Sequence, residues 1–88
     1  MILKKIACAG TMESSDAYVE IEPCENGIEI SIQSVVEAQF SESIRASIID
    51  VLNENQVKNA IVRINDRGAL DCVIRARTET AVLRAKGE

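Results

Sequence analysis

Residues 16–40 read DAYVEIEPCENGIEISIQSVVEAQF, and a change of period inside this stretch decides the fold. In its first part Ala17, Val19 and Ile21 face one side and Tyr18, Glu20 and Glu22 the other, the alternation of a half-buried strand. Pro23-Cys24-Glu25-Asn26-Gly27 is turn chemistry: proline fixes one φ, and Asn-Gly tolerates positive φ. Alternation resumes with Ile28, Ile30 and Ile32 against Glu29, Ser31 and Gln33, so the two runs are expected to pair as an antiparallel hairpin. At Ser34 the period lengthens. Ser34-Val35-Val36-Glu37 fits a capping box, and Val36, Phe40, Ile44, Ile48, Val51 and Leu52 follow at helical spacing. This predicts a helix of about five turns from that serine to near Asn55.

Outward from this stretch, residues 57–64 are β-branched and partly alternating, a third strand, and Asn65-Asp66-Arg67-Gly68 is a turn. Residues 69–85 are rich in helix formers, with Leu70, Val73, Ile74 and Ala81 on one side, and predict a second helix. Upstream, residues 7–15 (ACAGTMESS) show neither period and predict an exposed loop. The expectation is an α+β fold, a single small sandwich of order ββαβα with one sheet packed against two helices. Residues 1–88 form one domain in this reading, and residues 1–15 its flexible N-terminal arm.

With 88 residues there is room for one core, and 47% hydrophobic composition is enough to build it. Tyr18 and Phe40 are the only aromatics, which disfavours base-stacking recognition of single-stranded nucleic acid. The net charge of −4 would repel a phosphate backbone. Charge is unevenly spread: residues 1–54 hold three basic against ten acidic side chains, whereas residues 55–88 hold seven against four. Such asymmetry suits docking to partners of complementary field. Histidine is absent, which excludes Ser-His hydrolysis and removes the commonest metal ligand. Cys8, Cys24 and Cys72 are an odd set without C-x-x-C spacing, reading as reduced, packed thiols rather than a disulfide frame or zinc site. MILKKIACAG lacks the apolar run of a leader, and nothing approaches a membrane span, so a soluble cytoplasmic protein is expected, without metal, membrane or nucleic acid.

No phosphate-binding glycine loop is present. Arg63, Arg67, Arg75, Arg77 and Arg84 form a late basic set, readable as solvated positions or as a phosphate or carboxylate clamp. Gly10-Thr11-Met12-Glu13-Ser14-Ser15-Asp16 places two serines on an exposed acidic segment. A serine without a base is a poor nucleophile. A mobile hydroxyl can nonetheless enter another enzyme's site and be modified, and a carrier then needs no catalytic group of its own. The residues alone do not separate Ser14 from Ser15.

Three blocks, AGTMESSD at 9–16, QFSESIRASIIDVL at 39–52 and DRGALDCVIRAR at 66–77, resemble the citrate lyase acyl carrier protein, the gamma chain of bacterial citrate lyase. The resemblance runs from Ala9 to Ala85. It implies that the serine after Glu13, Ser14 here, carries 2′-(5″-phosphoribosyl)-3′-dephospho-coenzyme A through a phosphodiester. The implied partners are the citrate lyase alpha and beta chains and a holo-carrier synthase, the prosthetic-group transferase. In the implied cycle an acetyl thioester exchanges for citryl on the alpha chain. The beta chain then releases oxaloacetate, with no catalytic residue from the carrier itself. Within the same blocks Cys72 reads as a packed residue of the second helix. Arg75 and Arg77 are candidate partner or cofactor-phosphate contacts on different helix faces. Two alternatives remain: the acyl carrier subunit of malonate decarboxylase, with the same kind of prosthetic group, and a non-carrier adaptor.

Overall fold

The computed structural model describes residues 2–35 and 40–87. Along the chain lie β1 (Ala7–Gly10), β2 (Ala17–Glu22), β3 (Ile28–Ser34), α1 (Ser41–Glu54), β4 (Ala60–Asp66) and α2 (Asp71–Ala85). The α+β class and the single sheet packed against two helices are as expected. The strands lie in the order β1-β2-β4-β3. Strand β4 pairs antiparallel with β2 (Val19 opposite Ile64) and parallel with β3 (Ile30 opposite Val62). The expected hairpin between β2 and β3 therefore does not form, because β4 lies between them. Alternation fixes which face a side chain takes, not which strand lies beside it. Here α1 supplies the long crossover that a parallel β3–β4 pair requires. The Pro23–Gly27 turn is instead tied to the start of β4: the Gly27 N–H donates to Asn59 Oδ1 (2.8 Å) and the Ala60 N–H to the Gly27 carbonyl (2.9 Å).

The region expected to be wholly loop begins as strand β1, with Cys8 opposite Glu20 and Gly10 opposite Tyr18. Leu3 and Ala9 join the core (5% and 3% exposed). The Lys4 and Lys5 amides donate to the Ala85 carbonyl, satisfying the last turn of α2. Arg84 Nη1 caps the Cys8 carbonyl (2.8 Å).

Ala17, Val19 and Ile21 of β2 and Ala60, Val62 and Ile64 of β4 are buried against α1 and α2. Ile44, Ile48, Val51 and Leu52 supply the inward stripe of α1, as the spacing predicts. The helix starts later than expected. Ser34 closes β3, and its Oγ donates to Asp66 Oδ2 (2.8 Å). Phe40 precedes α1 without any side-chain cap. Val36 and Glu37, which the capping box and stripe also invoked, lie outside the described residues. In α2 the buried positions are Ile74, Thr78, Ala81, Val82 and Ala85. Leu70, read as inward, lies before the helix and is 71% exposed, and Cys72, read as packed, is exposed. Leu70 precedes the first turn, and Cys72 lies about 200° around the helix from Ile74, so neither joins the buried line. Ser47 of α1 hydrogen-bonds Asp71 at that start.

Candidate functional site

Residues 11–16 join β1 to β2, and Asp16 organises them. Its Oδ2 accepts from Thr11 Oγ1 (2.7 Å), while Oδ1 accepts the Ala17 amide (2.8 Å). Both oxygens also take the guanidinium of Arg77 on α2, Nε to Oδ1 and Nη2 to Oδ2 at 3.0 Å each, the bidentate fork that carboxylates match. Thr11 Oγ1 in turn accepts the Glu13 amide (3.2 Å). The main chain is pinned as well: Asp16 N–H to the Glu13 carbonyl, Ser15 N–H to the Arg67 carbonyl (2.8 Å), and Arg67 N–H to the Asp16 carbonyl (2.9 Å). Ser15 turns the chain with φ 67°, in the left-handed region. Ser14 sits one residue before it, exposed, and its hydroxyl has no hydrogen-bond partner among the described residues.

Asp16 is only 14% exposed at its side chain, and the Arg77 fork, with help from Thr11 and the Ala17 amide, holds its carboxyl well below the usual carboxylate range. A depressed carboxyl stabilises the fold above its unfolded value near 4, and that stability is lost as pH falls further. Asp16→Asn is therefore expected to lower Tm at pH 7. The gap to wild type should narrow steadily as pH drops from about 4 toward 2, read by thermal melts across that range. A gap independent of pH would refute the pairing.

The arginine set separates in space. Arg75 bridges to Asp50 and Glu54 of α1 (3.4 and 3.1 Å), tying the two helices, while Arg77 holds the loop. Arg63 lies on the uncovered sheet face between Glu20 and Glu22, which raise its pKa. A groove of about 260 Å³ opens between the first turns of α1 and α2, lined by Phe40, Ile44, Leu70 and Ile74 among others; Ser14 is not part of it. The serine thus lies on a braced, exposed bend, and no side chain among the described residues is placed to take its proton. Such a hydroxyl suits acceptance of a group from another enzyme better than attack on a substrate. Sequence reading found the segment but missed its brace, Asp16 with Thr11 and Arg77. The only trace was an aspartate closing the Ser-Ser block.

A small α+β domain that displays a serine on a braced, exposed bend has the build of a carrier. A family model described as malonate decarboxylase delta subunit (MdcD), an acyl carrier family, matches residues 4–85. The citrate lyase acyl carrier protein of Latilactobacillus sakei is 50% identical over 88 residues, covering all of this chain and 87% of the relative. That of Vibrio cholerae strain M66-2 is 54% identical over 80 residues, covering 90% and 82%. A crystal structure of a Pseudomonas malonate decarboxylase hetero-tetramer in complex with malonate contains a chain similar at TM-score 0.75 and 25% identity, with 97% and 92% covered. The chain belongs to the citrate lyase acyl carrier protein family.

Proposed function

We propose that the chain is the acyl carrier subunit of a citrate lyase complex, non-catalytic by itself, with Ser14 as the attachment point of its prosthetic group. The observation that carries this reading is near-full-length identity of 50% and 54% to two citrate lyase acyl carrier proteins. The malonate decarboxylase alternative rests on a 25% identical chain and on the name of the matched family model.

The proposed group is 2′-(5″-phosphoribosyl)-3′-dephospho-coenzyme A, joined by a phosphodiester. An exposed, unpartnered Ser14 Oγ suits such a linkage. When bound, the group supplies a terminal thiol on which the acyl unit is held as a thioester. The protein's own residues supply position. Arg77 and Thr11 hold Asp16, and through it the loop keeps Ser14 at the exterior. Tethering then keeps the acyl unit at high effective concentration for two active sites on other chains. Those chains are the citrate lyase alpha and beta subunits, and a holo-carrier synthase installs the group, all in the cytoplasm. Among the described residues, no helix is long and apolar enough to cross a membrane.

The purified chain is expected to leave citrate unchanged. Citrate cleavage should appear only when the modified form, heavier than the bare sequence in intact-mass measurement, is mixed with alpha and beta chains. Citrate turnover by the chain alone would refute the carrier reading. So would an unmodified mass from the native host together with full activity on mixing.

A further inference from the structure

Six arginines stand in the sequence, and five have occupied guanidinium groups. Arg45 donates to the Ile30 carbonyl (3.4 Å) and Arg84 to that of Cys8. Arg63, Arg75 and Arg77 are paired with carboxylates. Arg67 is exposed, and its side chain has no partner among the described residues. Its backbone, by contrast, is tightly held. The Arg67 N–H and carbonyl bond Asp16 and Ser15, the two residues that follow Ser14. The turn that carries Arg67 is clamped from behind by Asp66, 2% exposed. Asp66 Oδ1 accepts the Gly68 and Ala69 amides (3.2 and 2.9 Å), and Oδ2 accepts Ser34 Oγ.

The acids near this turn are spent or solvated: Asp66 on these donors, Asp16 on Arg77, and Glu13 exposed in the loop. A phosphodiester on Ser14 would add negative charge beside Glu13 in a chain already at −4. A guanidinium on a fixed turn beside that serine matches two non-bridging phosphate oxygens as it does a carboxylate.

We propose that Arg67 is the binding residue for a phosphodiester on Ser14, pairing bidentately with its non-bridging oxygens and fixing the direction in which the tether leaves the domain. The inference rests on Ser14 as the attachment site and adds a residue to it.

Nuclear magnetic resonance of the ¹⁵N-labelled full chain, with and without the group, reads the contact directly. The Arg67 Nε–H signal, assigned by its loss in Arg67→Lys, should exchange with water about tenfold more slowly in the modified protein, the change that about 1.4 kcal/mol of hydrogen-bond protection gives. The ³¹P resonance of the diester should move in Arg67→Gln, with Arg67→Lys intermediate because it keeps charge but not the fork. Mass mapping of each sample locates the group. An unchanged Nε–H exchange rate, or an unmoved ³¹P signal in an Arg67→Gln carrier modified at Ser14, overturns the role of Arg67 while Ser14 stands. A wild-type carrier modified elsewhere overturns both. If Arg67→Gln cannot be loaded, the wild-type Nε–H comparison decides.

Discussion

Replacing Ser14 with alanine is expected to abolish prosthetic-group attachment completely while leaving stability within about ±0.5 kcal/mol of wild type. The hydroxyl is exposed and bonds nothing among the described residues, so its removal leaves no buried group unsatisfied and opens no cavity. Ser15→Ala is expected to retain attachment. Neighbouring Cα atoms are about 3.8 Å apart, and a transferase that must align one oxygen with the transferred phosphorus tolerates far less than that. The two serines also differ in setting. Ser15 has a left-handed backbone and an amide fixed to the Arg67 carbonyl, whereas Ser14 lies between that anchor and the Glu13 bend. Mass mapping of the peptide spanning residues 9–20 after co-expression with the modifying enzymes reads both variants. Modified Ser14→Ala with unmodified Ser15→Ala would move the site by one residue. Modification of both at wild-type level would remove this loop from the carrier function.

The inward and outward faces of β2, β3 and α1 were legible because strong apolar side chains recur there at a clear period. Three features were not. Strand β1 is ACAG, four small residues with no contrast between faces, and only its pairing to β2 makes it a strand. The position of β4 between β2 and β3 depends on a long-range choice of neighbour that local alternation does not encode. In α2 the buried line runs through Thr78, Ala81 and Ala85, which hydropathy underrates, whereas Leu70 draws the eye and is outside. Thr78 tolerates full burial because its Oγ1 donates to the Ile74 carbonyl one turn back (2.8 Å). Of the candidate site, the Ser-Ser segment was visible as exposed polar chain. Its brace joins Asp16 to Arg77 across 61 residues, and Arg67 reaches it only through the fold.

Gly10→Ala is expected to be the most destabilising of the four glycine-to-alanine changes. Gly10 ends β1 at φ +96°, and a Cβ added there would lie 1.8 Å from the Ala17 carbonyl oxygen and 3.2 Å from Arg77 Cδ. The first contact is with main chain, so either β1 must leave β2 or the strand must deform. The second pushes on the side chain that holds Asp16. Left-handed backbone alone costs alanine about 1–2 kcal/mol, and relief of the clash brings the total to about 3 kcal/mol or more. For a domain of this size that is a fall of roughly 12–24 °C in Tm and a large part of its whole stability. Gly27→Ala is the control. Its φ of +76° is also left-handed, but nothing lies within 4 Å of the added carbon, so only the backbone cost of about 1–2 kcal/mol applies. Thermal melts of both variants at pH 7 test the difference, and equal losses would show that the close approach of Gly10 to Ala17 is not what fixes the loop.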